Sequence, residues 1–352
     1  MAIREDAAGA VTTLARESVV ERAFVVVAGW LMTGVFLDAW AHISHLPDSF
    51  WTPWHGVLYS GLLACGAFLV LARSVERRIG RRLLAHGYGL SLAGFALGAL
   101  GGIADAIWHT VFGVEFDIDA AVSPSHLLIA GAILLVVTGP VRAAWSRRSF
   151  GLPAALGLLY GISIITIIVD YAQPFGQLYG TGAPPAGREL GQLQQTVALF
   201  AFIAYAALLS GTILAALRAG PIAPAWFGLV AGGNMAALTL VNGPLHPGAT
   251  SLLLLVALAS AALITAAAAL LRPAPGRIAA TRTFAFAAPA LSYAAYAVAV
   301  TAAVGTWWTP TFWCGLVAIG GLAGLLVSTL AAPSAHTIDE PQTPRAEVRS
   351  LG

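Results

Sequence analysis

Long apolar runs separated by short polar stretches fill nearly the whole chain. Crossing the hydrocarbon core of a bilayer as a helix takes about 20 consecutive apolar residues. On that rule the pattern predicts ten spans, at residues 24–45, 55–73, 85–110, 124–145, 152–172, 193–217, 222–243, 248–271, 283–306 and 311–332. The predicted fold class is therefore all-α, a polytopic transmembrane helix bundle built from successive helical hairpins. Four segments follow from the same pattern: a charged N-terminal segment at 1–22, helices 1 to 4 at 23–146, helices 5 to 10 at 147–332, and a polar, proline-punctuated tail at 333–352 that reads as disordered.

Composition strengthens this picture and removes competitors. Of the 352 residues 58% are hydrophobic and 10% charged, and the mean hydropathy is +0.81. No water-soluble fold hides that much apolar surface, so the lipid bilayer is the chain's main partner. A net charge of +2 with dispersed arginines excludes a nucleic-acid surface. Cys65 and Cys314 lie far apart in apolar runs, which argues against a disulfide framework or a thiolate metal site. Arg4, Glu5, Asp6, Arg16, Glu17, Glu21 and Arg22 are too mixed in charge for the n-region of a cleaved signal peptide, and the first apolar helix is expected to act as an uncleaved signal anchor.

The chain has no lysine, so its orientation rests on 18 arginines. Arg73, Arg77, Arg78, Arg81 and Arg82 follow the second span, Arg142, Arg147 and Arg148 the fourth, Arg218 the sixth, and Arg272, Arg277 and Arg282 the eighth. With both termini on that side, Arg188 alone lies opposite, and the positive-inside rule predicts a multi-pass plasma-membrane protein with both termini in the cytoplasm. Acids and histidines show the reverse bias. Asp38, Asp48, Asp105, Glu115, Asp117, Asp119, Asp170 and Glu189, with His42, His45, His55, His109, His126 and His246, all fall at outer helix ends or in outer loops. His86 and His336 stay on the arginine side, where they read as an interfacial cap and a tail residue.

Within that outer set one pattern occurs twice. The first span ends in Asp38-Ala-Trp-Ala-His42 and the third in Asp105-Ala-Ile-Trp-His109. A four-residue spacing puts carboxylate and imidazole on one helix face. Each run is followed by a returning helix that opens with a hydroxyl residue and a proline, Thr52-Pro-Trp-His55 and Ser123-Pro-Ser-His126. Those pairs read as N-cap and first helical residue, placing His55 and His126 in the first turn. There the positive end of the helix dipole opposes protonation and favours the neutral imidazole that ligates metal. A single Asp or His near a helix end is more often a hydrogen-bonding interfacial residue. The same trio in two consecutive hairpins favours metal binding, and two imidazoles with one carboxylate suit copper, non-haem iron or zinc.

Spans 1, 3, 5 and 7 end in Asp38, Asp105, Asp170 and Asn242, at intervals of 67, 65 and 72 residues, so the hairpins read as an internal repeat. The third and fourth copies are incomplete: Asp170-Tyr-Ala-Gln-Pro174 has proline in place of histidine, and Asn242-Gly-Pro-Leu-His246 has no returning histidine. Asp170, Asn242 and His246 are candidates for supporting the ligands or lining a substrate. His45, Asp48, Glu115, Asp117 and Asp119 could add ligands, although a solvated loop explains the acids equally. Trp40, Trp51, Trp54, Trp108, Trp307 and Trp308 read as an aromatic belt at the interface.

These residues resemble the C subunit of the copper-dependent membrane monooxygenases, the particulate methane and ammonia monooxygenases. That subunit carries Asp-x3-His-x12-His with the last histidine in a Thr-Pro-Ser-His context, and one hairpin later Asn-x3-His-x13-His. Asp38, His42 and His55 reproduce the first spacing; Asp105, His109 and His126 fall where the second would, with aspartate for asparagine and sixteen residues between the histidines. The likeness covers residues 30–130, and nothing in the chain looks like the family's other two subunits. It implies copper as the cofactor, an oxidase or monooxygenase-like activity on a small apolar substrate, and partner subunits or further copies of the chain. The residues themselves leave two other classes standing: a metal-handling sensor, acceptor or transporter, and a structural or apolar-ligand protein without metal. Against transport, the inner halves of the helices hold almost no ionisable residue.

Overall fold

The structure, a computed structural model, describes residues 2–331 apart from 48, 85, 114, 116, 171 and 172, with side chains from residue 19 onward except that of residue 117. Asp48, the side chain of Asp117 and the tail at 333–352 therefore lie outside the described residues. Among the described residues twelve α-helices follow one another and there is no strand. They are α1 (Ala2–Ile43), α2 (Pro53–Ile79), α3 (Tyr88–Phe112), α4 (Asp117–Val122), α5 (Pro124–Val137), α6 (Gly139–Arg147), α7 (Leu152–Ile168), α8 (Arg188–Leu217), α9 (Pro224–Val241), α10 (Thr250–Leu271), α11 (Ile278–Ala303) and α12 (Pro310–Ala331).

Nine segments among the described residues are long and apolar enough to cross a membrane: Val19–Ile43 of α1, then α2, α3, α5 with α6 as one span (Pro124–Arg147), and α8 to α12. The expected span at 152–172 departs from this. It is the 17-residue α7, which stops at Ile168 because Pro174 and Gly176 turn the chain soon afterwards. At about 1.5 Å per residue, α7 is some 25 Å long, short of a full crossing. Most of its residues are buried by surrounding helices.

Four neighbouring pairs pack closely, α1 with α2, α3 with α5, α9 with α10 and α11 with α12, whereas α7 lies chiefly on α9 and α8 on α12. Membrane helices gain little from the hydrophobic effect between themselves, and small residues that admit backbone to backbone provide the packing. In α1 and α2 the contact is reciprocal. A Cβ on Gly34 would fall 2.3 Å from the Leu58 Cα, and one on Gly61 would fall 2.5 Å from the Leu31 Cα. This close approach sets the distance between the ends that carry Asp38 and His55. One apolar core, around Phe24, Leu31, Leu62, Leu69 and Val136, joins α1 to α5; a second, around Phe202, Tyr205, Phe284, Tyr293 and Tyr296, joins α7 to α12.

Several buried polar groups away from the histidine end are paired across helices. Pro140 has no N–H to offer the Val136 carbonyl, and Ser91 Oγ donates to that carbonyl at 3.0 Å. Arg142 donates to the carbonyls of Leu135 (2.7 Å) and Gly87 (2.9 Å) at the same break. Glu21 accepts a bidentate pair from Arg147 at 2.5 and 2.7 Å. Asn234 of α9 accepts from Tyr205 of α8 at 3.0 Å and donates to Ser163 and Thr166 of α7 at 3.2 and 2.8 Å, tying three helices together in the core. His86 is exposed and pairs with Arg82.

Candidate metal centre

Local backbone chemistry delivers each histidine. His45 takes the left-handed conformation (φ 49°) that ends α1, and the Leu46 amide closes back on the Ala41 carbonyl at 3.1 Å. His42 is thereby left in the last turn, with Asp38 one turn before it on the same face. Gly113 ends α3 with a positive φ of 85° and extended ψ, its amide bonding the His109 carbonyl at 3.1 Å. On the returning side, Ser123 caps α5 by accepting from the His126 amide at 3.3 Å. Thr52 has the extended N-cap backbone but directs its hydroxyl to His55 Nδ1, at 3.0 Å. Both histidines thus occupy the first helical turn, as their sequence context predicts.

The two trios do not stay in separate hairpin mouths. Asp38 Oδ1 lies 3.0 Å from His55 Nε2 and 4.0 Å from His42 Nε2. Asp105 Oδ1 lies 3.3 Å from His126 Nε2 and 3.5 Å from His109 Nε2. The four imidazoles then close a ring, with centroid separations of 6.5 Å (His42 to His55), 6.0 Å (His55 to His109), 5.8 Å (His109 to His126) and 5.7 Å (His126 to His42). His55 belongs to two groups whose ligand atoms lie within 4.8 Å of one another, Asp38–His42–His55 and His55–Asp105–His109. Two sites expected apart are one cluster.

Its hydrogen bonds favour a cation. His55 Nδ1 lies 3.0 Å from the Ser49 carbonyl, His126 Nδ1 2.5 Å from the Ala120 carbonyl and His109 Nδ1 3.3 Å from the Gly113 carbonyl. A carbonyl only accepts, so in each ring the Nδ1 carries the hydrogen. Nε2 of a neutral ring then has a lone pair, and that lone pair faces a carboxylate oxygen. Two lone pairs at such distances repel unless a proton or a metal ion lies between them. A backbone carbonyl behind the ring is also the usual means of fixing the tautomer of a ligating histidine. Asp38 Oδ1, Asp105 Oδ1, His109 Nε2 and Glu115 Oε2 are buried without a hydrogen bond. The donor set and these bare atoms fit a metal.

Beside the ring is a cavity of about 120 Å³. Asp38, His42, His55, Asp105, His126 and Asp170 provide its polar wall, and Val35, Ile129, Ile133, Ile164, Ile167 and Ile168 are among its apolar residues. Tyr59 also lines it, donating to Asp105 Oδ2 at 2.8 Å. The same tyrosine lines an apolar groove of about 630 Å³ between α2 and α3, where Gly98, Ala99 and Gly102 keep the α3 face low. Tyr59 is thus the shared wall of groove and cavity. Its sequence signal was available: it lies four residues after His55, on the same helix face.

The remaining candidates divide. Glu115 joins the cluster, with Oε2 3.7 Å from His109 Nδ1 and Oε1 accepting from Trp108 Nε1. His45 and Asp119 are exposed, and His45 belongs to neither ligand group. Asp170 and Asn242 are buried and bonded to each other at 2.8 Å. His246 lies near them, and desolvation holds its imidazole below the usual range. Trp308 corrects the belt reading: it is 3% exposed and stacks on Tyr179, whereas Trp51 is 88% exposed.

Comparison of the chain with protein-family models, curated proteins and solved structures finds no match.

Proposed function

We propose that this integral membrane protein holds two metal ions in a single outward-facing centre formed by Asp38, His42, His55, Asp105, His109 and His126, and acts as an oxidase or monooxygenase-like enzyme on a small apolar molecule. The observation that carries the proposal is the closed ring of four imidazoles beside the buried Asp105 and the half-buried Asp38, with three rings committed through Nδ1 to backbone carbonyls. Copper is the metal favoured by the resemblance to the C subunit of the copper membrane monooxygenases; iron and zinc satisfy the same donors. When bound, copper supplies one-electron redox chemistry. The chain's own residues hold the ligands in place, exclude bulk water and shape the cavity. Arginine bias supports an outward centre in the plasma membrane with both chain ends in the cytoplasm.

The cavity supports the substrate class. A cavity of about 150 Å³ lined by apolar side chains accommodates benzene, so a chamber of about 120 Å³ takes a molecule of that size or smaller. The groove behind Tyr59 favours lateral arrival from the bilayer. Retention of the metal is favoured over conduction. Residues 24–37, 60–72, 89–104 and 127–141, which run from the centre toward the arginine end, contain no Asp, Glu, His or Arg, and ion pathways keep polar groups at depth.

Elemental analysis of the purified protein tests the reading directly. About two copper, iron or zinc ions per chain are expected, falling to about one in His55→Ala, because the single Nε2 lone pair of that ring holds one ion. If wild-type protein carries no such metal above background and takes none up on reconstitution, the centre is a hydrogen-bonded polar cluster and the proposal fails.

A further inference from the structure

The ends of α7 and α9 bring together a second polar cluster that shares no residue with the histidine ring. Asp170 follows α7, Gln173 comes three residues later, Asn242 ends α9, and His246 follows the short turn Gly243–Leu245. Asp170, Gln173 and Asn242 are 3%, 1% and 2% exposed. Asn242 Nδ2 donates to Asp170 Oδ1 at 2.8 Å and to the Leu238 carbonyl at 3.0 Å. Both partners accept, so the amide orientation is fixed and Oδ1 is the atom left over. His246 hydrogen-bonds the Gly176 carbonyl. A Cβ on Gly176 would meet Asn242 Nδ2 at 2.8 Å and Asp170 Oδ1 at 3.0 Å. The Gly176 turn therefore ties the imidazole to the Asp–Asn pair.

Asp170 Oδ2, Gln173 Oε1, Asn242 Oδ1 and His246 Nε2 are all buried without a hydrogen-bond partner. Gln173 Oε1, Asn242 Oδ1 and His246 Nε2 are lone-pair atoms, since a ring that donates through Nδ1 to a carbonyl keeps Nε2 as an acceptor when neutral. Asp170 Oδ2 is one when ionised; burial pushes that carboxyl up to about 7, so it needs a positive charge beside it to stay ionised at neutral pH. A single water has two hydrogens to give and cannot serve four acceptors, one of them a carboxylate. A cation is what accepts lone pairs of this kind and balances the carboxylate among them.

We propose that Asp170, Gln173, Asn242 and His246 bind a divalent cation of their own, of harder character than the ions of the histidine ring. Three oxygens with one imidazole suit Mn²⁺-like ions, whereas an imidazole-rich set suits copper. Asp170 also lines the cavity beside the ring, so this cation faces the same chamber. The assignment does not rest on the function proposed for the ring.

Titration of the purified protein with Mn²⁺, read from the loss of the free-ion electron paramagnetic resonance signal, tests it. The expected result is one Mn²⁺ per chain in wild type, retained in the double variant His55→Ala/His109→Ala and weakened about tenfold or more in Asp170→Asn and in His246→Gln. Absence of Mn²⁺ binding in wild type overturns the proposal. So does a Mn²⁺ site lost in the double variant but kept in Asp170→Asn, which would place that ion in the ring. Should Asp170→Asn fail to fold, the half-buried His246→Gln variant decides, and unchanged Mn²⁺ affinity there refutes the site. Failure of the ring as a metal centre leaves the Mn²⁺ result in the double variant untouched, so the two proposals fall separately.

Discussion

Replacing Tyr59 by phenylalanine removes one oxygen from the wall between groove and cavity. The ring keeps its neighbours, with Phe50 at 5.4 Å and His55 at 6.2 Å between centroids. What is lost is the 2.8 Å hydrogen bond to Asp105 Oδ2, which leaves Oδ1 aimed at His109 and His126. A hydrogen bond to a charged group contributes about 1.5–3 kcal/mol. Independently, removing a group that orients a metal ligand costs about 10–100-fold in metal affinity, which at about 1.4 kcal/mol per decade is about 1.4–2.8 kcal/mol. The two figures agree, so Tyr59→Phe should weaken the ion on Asp105 by about 10–100-fold and affect the ion on Asp38 less. Competition titration of copper or zinc against a chelator, on wild type and variant side by side, measures this. If a folded Tyr59→Phe protein binds both ions as wild type does, Asp105 is not a ligand and the single-centre argument is wrong.

Other perturbations separate the centre from its scaffold. Gly61→Ala places a methyl 2.5 Å from the Leu31 backbone; overpacking of about 1–3 kcal/mol should lower the melting temperature in detergent and, by parting α1 from α2, reduce metal retention together with it. Asn234→Leu strips Tyr205, Ser163 and Thr166 of their shared partner and should destabilise by about 1–3 kcal/mol while leaving metal content per folded chain unchanged. Arg147→Ala leaves the 2%-exposed Glu21 unpaired, with a loss of up to about 3–5 kcal/mol in thermal or denaturant unfolding. In a Cys65→Ser/Cys314→Ser background, a cysteine at the exposed position Trp51 should react with a membrane-impermeant maleimide from outside intact cells, and one at Arg78 only after permeabilisation; the opposite pattern would invert the proposed orientation.

The helices were legible because a bilayer demands long uninterrupted apolar runs, and Pro53, Pro124, Pro224 and Pro310 mark helix starts in the sequence as they do in the structure. The exception, α7, was misjudged in length because Val169 continues the apolar run after the helix has ended. The Asp–His–His trios were legible because helical spacing and capping chemistry are local. Their fusion was not. His55 and His109 lie on different hairpins, and only the packing of α3 and α5 against α1 and α2 decides that their rings meet at 6.0 Å. Asp170 and Asn242, bonded across 72 residues, are hidden for the same reason. Gln173 offered no signal at all, since a glutamine beside a proline reads as loop. Trp308 misled because the same tryptophan serves an interfacial belt or a packed core, and burial is a property of the fold.

Charge balance gives the cluster its direction. Asp38, Asp105 and Asp170 line one cavity whose remaining wall is largely aliphatic, and among the described residues no arginine lines it. Ionised carboxylates gathered in such a place need compensating positive charge, or they take up protons. The arginines of the opposite side cannot provide it, because the intervening stretches carry no charged residue, and Arg188, on the same side, is exposed and does not line the cavity. Only the histidines are at hand. If they answered as imidazolium ions, each would place N–H on both nitrogens, and the positive ends of α2 and α5 would oppose charging His55 and His126. A metal ion meets the same requirement without that conflict. It uses the Nε2 lone pairs that the backbone carbonyls have already turned toward the carboxylates, and no ring has to be charged. These hydrogen bonds are what the proposed metal centre requires of its ligands.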